Sequence, residues 1–341
     1  MALNVPAGNG PTPPPPAAAP HAPARRLPRL AGNTGPLAAL ALLIACNALL
    51  TPGFLTLRAL DVLLTQIAPI VMVAVGMTLV IATGGIDLSV GSVMAIAGAL
   101  APMLFTSLRP PLSTPWVGDT LAILAALALA AAVGLVNGTL VTAFRIQPII
   151  ATLVLYIAGR GIAQVMTNGN LQAFHNPGFA FLGTGRVGGL PFQFVLMAVV
   201  VGAGAWAVQR TVWGRYVLAS GDNENAARLA GVPVDTVKRS VYVLSGLLAG
   251  LAGLVSIAIN SASDANQVGL GMELDAIVAV AVGGTPLTGG RANILGTLVG
   301  ACIVRLIGFA LLARGVPFAA AQIINAAIIL FAVLLQRRQA N

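Results

Sequence analysis

Gly84-Gly85-Ile86-Asp87-Leu88-Ser89-Val90-Gly91-Ser92 is a polar, glycine-rich interruption between two apolar runs, at about 62–83 and 88–107. A transmembrane helix needs about 20 apolar residues, so the two runs together are too long for one helix. A carboxylate inside a span costs about 2.5–3.5 kcal/mol on insertion scales, so Asp87 needs a cavity, a polar partner or the membrane interface. Two interpretations follow. The stretch is either a cytoplasmic-side turn whose Asp87 or Ser89 caps the next helix, or a helix break beside an aqueous pathway.

The composition is that of a multi-pass membrane protein. Of the 341 residues, 57% are hydrophobic and 8% are charged, whereas soluble domains carry about 25% charged residues. The net charge is +9, but no basic patch interleaved with aromatic residues indicates nucleic-acid binding. Cys46 and Cys302 lie in apolar runs, and His21 and His175 are far apart. We therefore predict neither a disulfide nor a metal site.

Division of the chain into apolar segments predicts an all-α polytopic membrane protein with about ten transmembrane helices, including broken or re-entrant segments. The segments are 36–55, 61–83, 88–108, 119–143, 147–166, 190–209, 239–260, 274–288, 292–313 and 316–335. Residues 1–35 are rich in Pro and Ala and are predicted to form a disordered cytoplasmic tail. They precede a transmembrane domain at 36–336 and a second cytoplasmic tail at 337–341.

The orientation follows from the positive charges. With the N-terminus inside, the predicted inner segments carry twelve Lys and Arg residues and the outer ones five. Positively charged loops face the cytoplasm, so both termini are predicted to be cytoplasmic.

One predicted inner loop, 210–239, is long and densely charged. Within it, residues 224–229 have the pattern of a short helix, with Asp222 or Asn223 as the N-cap and with Gly231 and Pro233 ending it. Such a helix either simply joins two spans or offers a rigid contact to a soluble partner.

This loop resembles the coupling loop of ABC importer permeases, in which a Glu-Ala-Ala…Gly pattern docks into a cleft of the ATPase subunit. Glu224-Asn225-Ala226-Ala227 with Gly231 departs from that pattern at Asn225. The chain is more similar to the ribose/galactose-type sugar permeases over about residues 60–335. That resemblance is carried by the stretches 76–91, 226–233 and 273–277, followed by Gly283-Gly284. Two further stretches, 158–164 and 264–270, resemble the galactofuranose importer permeases.

The resemblance implies a permease subunit, not an enzyme, of an ATP-driven ABC importer in the bacterial inner membrane. The importer would translocate a monosaccharide, such as galactofuranose, ribose or another pentose or hexose, by alternating access. Its partners would be an ABC ATPase subunit, a second copy or related permease, an extracytoplasmic sugar-binding protein and membrane lipid, with no nucleic acid. No cofactor is expected in this chain. ATP and Mg would be bound by the ATPase, since the Gly-x-x-x-x-Gly-Lys-Ser/Thr motif is missing here.

The alternative function is an ion- or proton-coupled secondary transporter of a small polar solute. Such a transporter needs carboxylates or histidines deep in its spans. Asp87 is the only clear candidate in the sequence.

The predicted site residues form three groups. The resemblance places the contact with the ATPase at Asp222, Glu224, Ala226, Ala227, Arg228, Gly231 and Pro233. Candidates for the pathway or for helix breaks are Gly84, Gly85, Asp87, Ser89, Asn137, Gln147, Gln164, Gly283 and Gly284. Candidates for docking of the binding protein are Asp264, Asn266, Glu273 and Asp275. In addition, Gly296 and Gly300 form a Gly-x-x-x-Gly pattern that suits an intramolecular or a dimer contact equally.

Overall fold

The structure, a computed structural model, describes residues 34–108, 115–317, 320, 323, 324, 326 and 327. The helices of this part are α1 (Thr34–Leu50), α2 (Leu57–Ala82), α3 (Val90–Leu108), α4 (Pro115–Thr142), α5 (Pro148–Met166), α6 (Pro177–Thr184), α7 (Phe192–Arg210), α8 (Val212–Asp222), α9 (Glu224–Leu229), α10 (Val234–Asn260), α11 (Met272–Val282) and α12 (Ile294–Ala313). Two antiparallel pairs of two-residue strands join loops: β1 (Gln172–Ala173) with β4 (Ala262–Ser263), and β2 (Arg186–Val187) with β3 (Leu190–Pro191). The all-α prediction is therefore correct apart from these short strands.

Within the described ranges, six helices are long and apolar enough to cross a membrane: α2, α4, α5, α7, α10 and α12. Helices α1 and α3 contain shorter apolar stretches. The first nine predicted segments coincide with α1–α5, α7 and α10–α12. The tenth, at 316–335, lies largely outside the described residues, as do nearly all of the N-terminal tail and the whole C-terminal tail.

Helices α2 and α10 form the centre of the protein. In their most apolar windows, 83% of α2 and 67% of α10 are buried, against 22% in both α5 and α7. Glycines allow α4 and α10 to approach closely, since a Cβ on Gly246 would lie 2.5 Å from the carbonyl oxygen of Ala130. The core is therefore a tightly packed centre, with α5 and α7 at its periphery.

Helix α11 is short and packs against α12 as a tight hairpin. Its 11 residues extend about 16 Å, roughly half of the 30 Å hydrocarbon core. Gly296 and Gly300 of α12 face the backbone carbonyls of Gly283 and Ala279, where a Cβ would overlap the carbonyl oxygen. The Gly-x-x-x-Gly pattern is thus used within the chain.

The loops at the two ends of the helices contact one another as two separate sets. At one end, Gly290 N donates to the carbonyl of Ala82 over 3.0 Å. At the other, Phe174 N donates to Ser261 O over 3.2 Å, and Asn176 Nδ2 donates to Asp119 Oδ1 over 2.6 Å. These sets match the loops predicted for the inner and the outer side respectively.

Candidate functional site

The stretch between α2 and α3 is a buried helix break. Gly84, with φ +80°, ends α2 in the left-handed region that glycine adopts without steric cost. The side chains of Asp87 and Ser89 are each 1% exposed. Asp87 Oδ1 accepts hydrogen bonds from the backbone N of Ser89 at 3.0 Å and from its Oγ at 2.6 Å. Asp87 therefore holds the backbone in place immediately before α3 begins.

Three other helices bond to this break. Ser245 Oγ of α10 donates to Asp87 Oδ2 over 2.8 Å, and Asn137 Nδ2 of α4 donates to Ser89 Oγ over 2.7 Å. Thr152 Oγ1 of α5 donates to the carbonyl of Ile86 over 3.2 Å. Ser245 lies about 16 Å along α10 from its start at Val234. At this depth the stretch is buried among helices, which fits a turn whose Asp87 holds the start of α3 as well as a helix break. Its place beside an aqueous pathway stays a prediction.

A second break, at 283–293, joins α11 to α12. Gly284, Gly289 and Gly290 all have positive φ, between 76° and 91°. Asn293 closes the loop, because its backbone N donates to Thr285 Oγ1 over 3.0 Å and its Nδ2 to Gly283 O over 3.1 Å. The hydrogen bond from Gly290 N to Ala82 O joins this break to the end of α2.

The C-terminal end of α8 meets both breaks at the same place. A Cβ on Gly221 would overlap the carbonyl oxygen of Ala82 and lie 2.7 Å from Gly290 N. A Cβ on Gly290 would lie 3.0 Å from the Cα of Asp222. We call this meeting point, formed by residues 82–84, 221–222 and 289–290, the glycine junction. The only signal for this meeting point in the sequence is a glycine in each of three predicted inner loops.

Helix α9 follows directly and lies on the surface. Asn223 is its N-cap, since Asn223 Oδ1 accepts from Ala226 N over 3.0 Å, whereas Asp222 is the last residue of α8. Gly231, with φ +81°, follows its C-terminus, and Pro233 precedes α10. Ala227, one of the predicted contact residues, is buried at 5% exposure, while Ala226 is exposed. Leu229, which was not among the predicted contact residues, is 91% exposed; an apolar residue in a short charged helix was the available signal.

An ion-pair cluster fixes α9 to the start of α10. Glu224 pairs with Arg228 at 2.8 Å and with Lys238 at 2.5 Å, and Arg228 pairs with Asp235 at 2.5 Å. Arg145, after α4, lies 3.8 Å from Glu224 and 3.5 Å from Asp235. Isolated surface pairs contribute little, but a network of several charges with good geometry restrains a loop more effectively.

The titration of Glu224 gives a pH prediction. Partial burial opposes ionisation, but hydrogen bonds from Lys238 and Arg228 outweigh it and hold the pKa of the Glu224 carboxyl below its ordinary value. Because the pKa of Glu224 is lower in the folded state, its ionised carboxylate stabilises the folded loop at pH values above the unfolded pKa of about 4.3. This stabilisation is lost as the pH falls through the folded-state pKa. Hydrogen exchange of residues 224–229 should therefore be slow and constant between about pH 5 and 8, after correction for intrinsic rates. Glu224→Gln should accelerate it at neutral pH; equal protection in the variant would contradict this role.

At the opposite end, the two stretches that resemble galactofuranose permeases contact each other. Arg160 Nη1 donates to the carbonyls of Ala265 at 2.8 Å and Val268 at 2.6 Å. Gln164 Nε2 donates to Asn266 Oδ1 over 2.8 Å, and Asp264 Oδ1 accepts from Asn266 N over 2.8 Å. The C-terminal half of α5 is thus tied to the loop before α11.

The remaining predicted residues separate into different environments. Glu273 is only 6% exposed and faces Gly91 of α3, and Asp275 is half-buried in the first turn of α11. The burial of Glu273 does not agree with its predicted place on a docking surface, whereas Asp275 is only half-buried and Asp264 and Asn266 lie in the loop before α11. Asn137 belongs to the first break, whereas Gln147 is exposed at the N-terminus of α5. Among the described residues, no group of three or more His, Cys, Asp or Glu side chains could hold a metal ion.

Comparison with known proteins identifies the family. Residues 59–334 match the family described as branched-chain amino acid transport system / permease component. The ribose import permease protein RbsC of Escherichia coli K12 is 42% identical over 307 residues, 89% of this chain and 93% of the relative. The galactofuranose transporter permease protein YtfT of the same organism is 40% identical over 312 residues, 89% of each chain. The L-arabinose ABC transporter permease protein AraH of Azospirillum brasilense is 35% identical over 313 residues, 92% of this chain and 90% of the relative.

These relatives confirm the resemblance to ribose- and galactofuranose-type permeases, and their similar identities favour neither sugar. The family description names amino acids, but the relatives are sugar permeases. The chain therefore belongs to this family of multi-pass membrane permeases, in the group that contains the sugar permeases of ABC importers, and is a transport subunit rather than an enzyme.

Proposed function

We propose that this protein is the translocation subunit of an ATP-driven importer of a monosaccharide, with α9 as the contact for the ATPase subunit. The observation that carries the proposal is the position of α9. It is a six-residue helix on the surface, with Leu229 91% exposed, and it is joined by ion pairs to α10. An exposed apolar side chain on a rigid charged helix suits a protein partner, because a few side chains that become fully buried in an interface supply most of its binding energy.

The glycine junction supplies a route from α9 to the helix breaks. Helix α8 ends at Asp222, one residue before α9 begins, and Gly221 packs against backbone atoms of Ala82 and Gly290. A displacement of α9 by the ATPase would therefore reach the ends of α2 and of the α11–α12 loop through backbone contacts. The break containing Asp87 begins at the first of these ends, so alternating access would be driven there.

The full assembly follows from this role. Two permease chains, either two copies or this chain with a related permease, would form the pathway in the bacterial inner membrane. An extracytoplasmic sugar-binding protein would deliver ribose, galactofuranose or another pentose or hexose at the end that carries Asp264 and Asn266. Both termini would be cytoplasmic, with about ten spans. ATP and Mg would be bound by the ATPase and no cofactor by this chain.

The contact is tested with Leu229→Ala in the purified complex of permease, ATPase and binding protein. We expect the affinity for the ATPase to fall at least about fivefold, because truncation of a hot-spot side chain costs more than about 1 kcal/mol. ATP hydrolysis stimulated by the sugar-loaded binding protein should fall in parallel. Leu55→Ala is the matched control, since Leu55 is 79% exposed in the α1–α2 loop at the opposite end. Unchanged ATPase affinity in Leu229→Ala would refute the contact.

A further inference from the structure

The turn after α4 exposes a large aromatic side chain beside the ion-pair cluster. Phe144 lies two residues after α4 and is 69% exposed. Its neighbour Arg145 reaches both carboxylates of the cluster, Glu224 and Asp235. The turn is also bound to α10, because Arg239 Nε donates to Thr142 Oγ1 over 2.7 Å. Phe144 is therefore presented on a turn that is fixed to α9 and to α10.

The backbone of Arg145 is unusual. Its φ is +56°, in the left-handed region that normally follows a helix at a glycine. A long charged side chain at such a position is unfavourable for the backbone. An outlier of this kind indicates that the side chain contributes something that glycine cannot. Here the guanidinium adds a third cation to two carboxylates, and the cluster carries a surplus of one positive charge.

We propose that the turn 143–147 and α9 form one docking surface for the ATPase subunit, with Phe144 as a second apolar anchor beside Leu229 and Arg145 as the residue that positions the turn. This inference rests on the proposed function of α9. Its occupant follows from continuity: the Arg145 ion pairs join the turn directly to α9, so a partner on α9 meets the turn as well. The surplus positive charge predicts that the facing surface of the ATPase carries an acidic group.

The consequence concerns the α4–α5 connection. Gln147, the last residue of this turn, is the N-cap residue of α5. A partner bound to both elements would move the start of α5 together with α9. The ATPase would therefore act on two connections of each permease, rather than on the charged loop alone.

The test measures ATPase affinity and stimulated ATP hydrolysis for Phe144→Ala and Arg145→Gly in the reconstituted complex. We expect Phe144→Ala to weaken ATPase binding about fivefold to tenfold. Arg145→Gly gives the backbone the residue that it favours, so the thermal stability of the permease should hold or rise while ATPase affinity falls. Phe181→Ala is the matched control, because Phe181 is 46% exposed in α6 and near the other end of the molecule.

The outcomes separate this inference from the function on which it rests. If Leu229→Ala weakens binding but Phe144→Ala and Arg145→Gly do not, the second anchor is refuted and the contact at α9 stands. Phe144 then faces lipid. If none of the three variants weakens binding, the proposed function of α9 fails as well. Loss of stability in Arg145→Gly without loss of ATPase affinity would also overturn the proposal, because Arg145 would then have a purely structural role.

Discussion

Gly221→Ala is expected to destabilise the permease and to reduce ATP-driven uptake at least tenfold. Glycine in the interior of a helix usually costs about 1 kcal/mol relative to alanine, so replacement is normally favourable. Here the new Cβ would overlap the carbonyl oxygen of Ala82 and lie 2.7 Å from Gly290 N. Both obstacles are backbone atoms, which cannot rotate away as a side chain can. Either α8 moves out of the glycine junction or the hydrogen bond from Gly290 to Ala82 is lost.

The matched control for this variant is Gly202→Ala. Gly202 lies within α7, and a Cβ there would meet no atom within 4 Å. It should therefore be neutral or slightly stabilising, whereas overpacking at Gly221 should cost about 1–3 kcal/mol. The readouts are the melting temperature of the detergent-solubilised complex and uptake into proteoliposomes. Equal stability and equal uptake in the two variants would show that the glycine junction does not transmit motion.

Asp87→Ala is expected to destabilise the permease, because it removes the acceptor of three buried hydrogen bonds. Asp87 accepts from Ser89 N, Ser89 Oγ and Ser245 Oγ. A buried donor left without an acceptor costs about 1–3 kcal/mol. Ser245 can turn to a carbonyl of its own helix, as Ser256 does at Ala252, but Ser89 N has no such alternative. We therefore expect Asp87→Ala to lower the free energy of unfolding by about 1–6 kcal/mol, from one to two such unsatisfied groups.

Two further variants serve as comparisons for Asp87→Ala. Asp87→Asn keeps the shape and one acceptor oxygen, so it should lose less stability than Asp87→Ala. Asp61→Ala removes a carboxylate whose ion pair with Arg186, at 2.7 Å, is about half exposed; it should cost less than about 1 kcal/mol. The stability of each of the three variants is measured by thermal or denaturant-induced unfolding in detergent. If Asp87→Ala unfolded like Asp61→Ala, the bonds at the break would have little energetic weight.

The helices were largely predictable because a membrane leaves the backbone few alternatives. Every buried N–H and C=O must be paired within the segment, so each apolar run of sufficient length is a helix. The short segment at 274–288 likewise gave the half-length α11, and the capping pattern gave α9 with Gly231 after it.

The contacts between distant segments could not be predicted in the same way. The glycine junction is formed by backbone atoms of residues about 70 and 140 positions apart, and no side-chain pattern encodes their meeting. The burial of Ala227 and exposure of Leu229 depend on which face of a six-residue helix meets α10, and six residues are too few to establish a periodicity. Glu273 was predicted to lie on a docking surface for the binding protein, yet it is buried against Gly91, where the lack of a Cβ leaves room for its carboxylate.

Helix α8 has the geometry of a lever. Its 11 residues give an arm of about 16 Å, and its far end rests on the hydrogen bond from Gly290 to Ala82, which is 3.0 Å long. A tilt of only about 3° about its start at Val212 would move that end by close to 1 Å. Because Gly221 already packs against backbone atoms of Ala82 and Gly290, a movement of this size would press on those atoms or separate α8 from them. The stroke that the proposed function requires of the ATPase at this point would therefore be short.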